Sequence, residues 1–174
     1  MIKTIVVPTD GSEHANKAIQ LAGDIAEKYG ARLVLLHVLL RGGMSSELQH
    51  MAEVEHLADR EVGPMPFAAN VPAAAARMLQ EVRSDRTPRL VYEKVGRLIL
   101  EAAEKTAREK GAKQIKTELG DGDPAREILD CAEREGANLI VMGSRGLGDI
   151  KGLLMGSVSH KVAQLAPCTC VTVK

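Results

Sequence analysis

The sequence predicts an α/β domain built on a doubly wound parallel sheet. Three observations carry that reading. Continuous apolar runs of strand length occupy Ile2 to Val7 and Leu33 to Leu40, as expected of parallel strands covered on both faces. Such runs alternate with segments whose apolar residues recur at helical spacing, and the order β-α-β-(α)-β-α-β-α-β gives five strands with helices to either side. The third observation is a thirteen-residue connection, Gly143 to Met155, where an α/β unit ordinarily uses about two to six residues. The chain of 174 residues suits one domain, 1–174, with an insertion.

The first strand, Ile2 to Val7, runs into the turn Pro8-Thr9-Asp10-Gly11-Ser12. Ser12 to Tyr29 then places Ala15, Ala18, Ile19, Ala22, Ile25 and Ala26 on one helical face, and Gly30 stops it. Asp10-Gly11-Ser12-Glu13 fits a capping box for this helix. After the second strand, Thr87-Pro88 reads as an N-cap followed by proline at the first helical position. The stripe Val91, Val95, Leu98 and Ala102 continues that helix to Gly111. Lys113 to Leu119 alternates as an edge strand with one wetter face. Asp123-Pro124 opens a helix with Ala125, Ile128, Leu129 and Ala132 inward and Gly136 at its end. Asn138 to Met142 is the fourth strand, Val158, Val162 and Leu165 mark a face of a short helix, and Thr169 to Val173 is the last strand.

Residues 41–86 exceed what the fold needs after its second strand. Ser46-x-x-Gln49 resembles a capping box opening a helix through Arg60, Gly63-Pro64-Met65-Pro66 breaks it, and Pro72 opens a second, alanine-rich helix from Ala73 to Arg83. This helical insertion reads as a flap or a dimer-contact hairpin. It reads equally as a tolerated surface insertion, since long loops cost little closure entropy.

The long connection after the fourth strand contains Gly143, Gly146, Gly148 and Gly152 and closes at Gly156-Ser157. Glycine admits backbone N–H groups close to a ligand, and Ser157 opens a helix whose unpaired N–H groups form a ready phosphate site. A Walker A loop has no match here, and G-x-G-x-x-G fails because Gly146-x-Gly148 meets Lys151 where glycine is required. The spacing that remains is G-x2-G-x9-G-S.

That pattern resembles the nucleotide-binding signature of the universal stress protein family. Val6-Val7-Pro8-Thr9-Asp10-Gly11-Ser12, Gly122-Asp123-Pro124-Ala125-Arg126-Glu127-Ile128 and Ala166-Pro167-Cys168 are similar to the family's corresponding segments, so the likeness covers roughly residues 1 to 40 and 96 to 174. The resemblance implies an adenine nucleotide alpha hydrolase-like fold with strand order 3-2-1-4-5. Pro8-Thr9-Asp10 and Gly143-Ser144-Arg145-Gly146 would then flank one crevice at the switch point of the sheet. It further implies ATP, with Mg²⁺ accompanying the nucleotide, held by Pro8, Thr9, Asp10, Val38, Met142, Gly143, Arg145, Gly146, Gly156, Ser157, Val158 and Ser159. In that scheme Asp10 meets a ribose hydroxyl, Val38 offers backbone groups to adenine, and Arg145 contributes mainly backbone. The plain readings stand beside these: Asp10 as a helix cap, Val38 as a core residue, Gly143 and Gly146 as turn glycines, Ser157 and Ser159 as caps.

Composition excludes several classes. Lys plus Arg and Asp plus Glu number 23 each, so no global field recruits nucleic acid or an anionic membrane. Three aromatic residues, Tyr29, Phe67 and Tyr92, leave little for stacking bases. The longest apolar run, Leu33 to Leu40, is too short for a membrane span. Three cysteines fit a reducing cytoplasm better than a disulfide scaffold. His50, Glu53 and His56 read as a solvated helix face, Cys168 and Cys170 lack further zinc partners, Cys131 reads as packing, and His14 as a surface residue. No nucleophile-base-acid constellation is present. The expectation is an ATP-binding switch or adaptor in stress, homodimeric through its C-terminal strand and open to an unidentified protein partner. The alternatives are a slow ATPase using the same crevice or a nucleotide-free dimeric interaction module.

Overall fold

In a computed structural model the described residues are 1–39, 89–147 and 155–174; the expected insertion at 41–86, the Thr87-Pro88 cap and the set His50, Glu53 and His56 lie outside them. Nine elements follow one another: β1 (Thr4–Pro8), α1 (Glu13–Tyr29), β2 (Arg32–Val38), α2 (Arg89–Glu109), β3 (Gln114–Gly120), α3 (Pro124–Arg134), β4 (Leu139–Gly143), α4 (Ser157–Leu165) and β5 (Thr169–Val173). The five strands form one sheet in the order β3-β2-β1-β4-β5, and every pairing is parallel. The expected order 3-2-1-4-5 is the order found. The strands that read as continuous apolar runs are the central ones: Ile5, Val6 and Val7 of β1 and Leu33, Val34 and Leu35 of β2 have no exposed surface.

Strand alternation divides the core into two layers. On one face Ile5, Val7, Leu33, Leu35, Leu139 and Val141 pack against α1 and against Leu100, Ala103 and Ala107 of α2. On the other, Val6, Val34, Leu36, Val38, Ile140 and Met142 pack against Ala125, Ile128 and Cys131 of α3 and Val162 of α4. Two side-chain expectations need correction. The inward face of α2 is Val95, Ile99, Leu100, Ala103 and Ala107, rotated from the expected stripe, whose Leu98 and Ala102 are only half-buried. In α4, Val162 is buried but Leu165 is 56% exposed, because the nine-residue helix reaches past the sheet layer it covers. The outer strand β3 is tied to α3 and β2 by exposed ion pairs, Lys116 with Glu118 and Glu135, Arg134 with Glu118, and Arg32 with Glu135, each of small stabilising effect in water.

Candidate functional site

The carboxyl end of the sheet is where the two unusual turns meet. β1 stops at Pro8, and the Thr9 N–H donates to the Leu36 carbonyl of β2 at 2.8 Å. Asp10 then uses both carboxylate oxygens. Oδ1 accepts from the Ser12 N–H at 2.9 Å and Oδ2 accepts from the Leu147 N–H at 2.8 Å. The second bond joins the turn after β1 to the turn after β4. The expected capping box is therefore corrected: Ser12 is the N-cap of α1, its hydroxyl accepting from the Ala15 N–H, while Asp10 orders the turn and clamps the glycine loop. An asparagine at position 10 keeps one acceptor and turns an NH₂ toward a donor, so it loosens the loop whether or not a ligand is present.

His37 is a buried polar residue beside the crevice whose place sequence reasoning did not anticipate. It is 3% exposed, and its Nδ1 lies 2.8 Å from the Thr9 carbonyl; since a carbonyl only accepts, Nδ1 carries the proton. Burial holds the imidazole below its ordinary pKa, opposed by the Thr9 bond and the Asp10 charge. The ring is seated against Gly96 of α2, where a Cβ would come 2.8 Å from His37 Cδ2 and 2.7 Å from Leu119 Cδ2. A histidine inside an otherwise apolar strand was the available signal.

Gly143 is the last residue of β4. A Cβ there would lie 2.8 Å from the Ala15 nitrogen and 2.9 Å from the His14 backbone carbon, so its first duty is to let β4 end against α1. Gly146 has the same character, since a Cβ would collide with Asp10 Oδ2. Gly156 differs. Its φ is −74° and ψ 160°, a conformation any residue adopts, and a Cβ would meet only Arg145 Cα and the Ser144 carbonyl at 3.7 Å. Among the described residues nothing packs so closely that it demands glycine there.

Gly156 is also the N-cap of α4, with no side-chain cap. By contrast Ser12 caps α1 and Asp123 caps α3. Ser157 occupies the first helical position, and neither it nor Ser159 acts as the cap considered from sequence. Ser159 is buried and its hydroxyl donates to the Gly143 carbonyl at 2.8 Å. Ser144 has its N–H on the Val173 carbonyl at 2.7 Å and its own carbonyl accepting from Gly156 at 2.8 Å. Its hydroxyl is buried without a partner among the described residues, a condition that costs about 1–3 kcal/mol where it holds. Arg145 and Val158 are half-buried. Met142 is 2% exposed with its side chain in the core, so only its backbone is near the crevice.

Val38 contributes backbone. Because Leu36 carbonyl accepts from β1 and the Leu39 N–H donates to Gly120 of β3, alternation turns the Val38 N–H and C=O toward the β1 side. The last β1–β2 pair is Pro8 with Leu36, so those groups face the space beyond the end of β1. The structure thus gathers Thr9, Asp10, Val38, Gly143, Gly146 and the start of α4 around one end of the sheet. Burial pushes the Cys131 thiol up to about 12 and the Cys170 thiol to about 11, leaving both protonated at neutral pH. Among the described residues no cluster of three or more His, Cys, Asp or Glu could hold a metal, and no helix is long and apolar enough to cross a membrane.

The family profile of the universal stress proteins matches residues 1–174. The chain belongs to the universal stress protein family. It is 35% identical to the universal stress protein YxiE of Bacillus subtilis, over the whole of both chains. Among solved structures, this universal stress protein is similar to one crystallised in complex with cAMP, with 25% identity, a TM-score of 0.60, and coverage of 99% of this chain and 97% of that one. It is also similar to protein MJ0577, known from Methanocaldococcus jannaschii, with 25% identity, a TM-score of 0.62, and coverage of 100% and 96%.

Proposed function

We propose that this universal stress protein binds an adenine nucleotide, ATP in the first instance, across the carboxyl ends of β2, β1 and β4 and acts as a nucleotide-dependent switch or adaptor. The observation that carries the reading is the uncapped start of α4 beside the buried, unpartnered Ser144 hydroxyl. Donors without acceptors at a helix N-terminus suit phosphate. The similar protein in complex with cAMP agrees in ligand class. Asp10 retains lone pairs for a ribose hydroxyl after its two backbone bonds, and the Val38 N–H and C=O present a complementary pair to a base edge. Mg²⁺ enters on the phosphates, since it favours a few ligands plus substrate oxygens over an all-protein cage. Occupancy orders the glycine loop and changes the surface a protein partner meets; a ligand shifts such an equilibrium only by differential affinity.

The homodimer through β5 belongs to the same reading, because β5 ends the sheet with an open edge. Free cysteines suit the reducing cytoplasm. Mass spectrometry of ligand released from freshly purified protein tests the proposal: recovered ATP supports the switch, multiple-turnover ADP release makes it a slow ATPase, and protein that neither carries nor takes up adenine nucleotide returns it to an interaction module.

A further inference from the structure

Resting on the nucleotide reading, we infer that Glu127 reads the base, accepting a hydrogen bond from the exocyclic 6-amino group of adenine. Glu127 lies in the first turn of α3. It is half-buried, yet it forms no side-chain hydrogen bond or ion pair with any described residue, whereas the neighbouring carboxylates are engaged: Asp123 caps α3 and meets Lys161 at 3.4 Å, and Glu118 is paired with Lys116 and Arg134. Its place is set by two glycines of the β3–α3 turn. A Cβ on Gly120 would meet Glu127 Oε2 at 3.0 Å and Val38 Cγ2 at 3.2 Å, and a Cβ on Gly122 would meet Oε1 at 3.1 Å. The carboxylate and the Val38 side chain therefore flank the same point at the carboxyl ends of β2 and β3.

The sheet acts as a ruler for what lies there. Neighbouring strands are about 4.8 Å apart, so β3 to β4 spans roughly 14 Å. With phosphates at the start of α4 beyond β4 and ribose over Asp10 of β1, the base falls beyond the end of β1 against the end of β2. The base edge then meets the Val38 N–H and C=O from one side and the Glu127 carboxylate from the other. Adenine's amino group has two hydrogens, one for the Val38 carbonyl and one for Glu127. A 6-oxo purine presents an acceptor to those acceptors, which disfavours it. A purely structural role for Glu127 is favourable interaction with the α3 dipole, and that role is blind to the base.

The experiment is a cycle of two proteins and three ligands by calorimetry: parent and Glu127→Ala, each with ATP, inosine triphosphate and purine riboside triphosphate, which lacks the amino group. The parent is expected to prefer ATP over both analogues by more than tenfold, and Glu127→Ala to lose about tenfold for ATP with no such loss for the analogues, so that the gap narrows about tenfold and the share due to the Val38 carbonyl remains. Equal losses for all three ligands, or an ATP preference that the substitution leaves undiminished, overturns the assignment. Glu127→Gln, which keeps an acceptor oxygen without charge, is expected to fall between and guards against a folding defect in the alanine variant, as does its melting temperature. Failure of the parent to bind any of the three ligands removes the nucleotide reading itself.

Discussion

The two sides of the crevice are built differently. On the β1 side the turn is braced by the chain itself: Thr9 bonds Leu36 and His37, and each Asp10 oxygen accepts a backbone N–H, from Ser12 and from Leu147. On the α4 side, among the described residues, the helix start has no side-chain cap and the Ser144 hydroxyl has no partner. The first side is held in place by bonds within the chain, and the second is not. Glycines of one sequence motif fall on both sides of that division. Gly143 and Gly146 are required by contacts within the fold, and Gly156 is the glycine for which the fold gives no reason. A spacing pattern thus mixes structural and ligand-directed positions, and only the geometry sorts them.

The sharpest way to break this comparison is Gly156→Val. It is expected to abolish ATP binding, a loss of at least about 100-fold or ~2.8 kcal/mol, while the protein stays folded with about 1 kcal/mol lost at the helix N-cap, because φ is negative and no described residue crowds a Cβ. Undiminished ATP binding by the folded variant would place the phosphates elsewhere. The complementary change, Gly143→Ala, pushes a methyl group into the backbone of His14 and Ala15 and is expected to lower unfolding stability by about 1–3 kcal/mol. A variant as stable as the parent would show that α1 yields, and the division between the two glycines would collapse.

The braced side also has a pH signature. Burial depresses the folded pKa of His37, so below about pH 6.5 the unfolded chain takes up a proton that the folded chain refuses. Its stability contribution is therefore complete above that value and lost as pH falls toward the folded pKa. Denaturation midpoints at pH 7.5 and 5.5 should fall for the parent and change less for His37→Asn; identical pH dependence of the two proteins would clear His37 of the effect. The smallest expected change in the isolated fold concerns the other set of unclaimed donors, the β5 edge. The Val173 carbonyl faces β4, so alternation turns the Val171 N–H inward too and leaves Cys170 and Thr172 at the open edge. Thr172→Pro should remove an outward donor and shift a dimer toward monomer by light scattering, whereas Val171→Pro strikes the β4–β5 ladder. A parent that is monomeric at micromolar concentration excludes this dimer.

Much of the architecture was legible because the central strands are apolar without interruption and the helices carry their own stops. The details lost were those decided at long range. Asp10 and Ser12 are both good caps by composition; what separates them is the Leu147 N–H, 137 residues away in sequence. The face of α2 was misread because Val95 belongs to either stripe, and what selects the true one is Gly96 against His37 and Leu119. The role of Gly143 needed the position of α1, which no periodicity contains. The unsatisfied Ser144 hydroxyl is invisible in sequence, because serine between glycines ordinarily finds water.

The bond from Asp10 to Leu147 has a consequence in time as well as in space. β1 lies between β2 and β4 in the middle of the sheet, so during synthesis it first pairs on one side only and waits for β4 with its other edge open. Lys3 and Thr4 bind the side chain of Asn138 over nearly the same separation, and contacts of that length slow folding because closure must precede reward. The crevice therefore cannot exist in a partly made chain. On the proposed reading, nucleotide capture would report that the segment from β4 onward has arrived and docked, and a destabilised chain would lose its ligand site with the opening of the sheet.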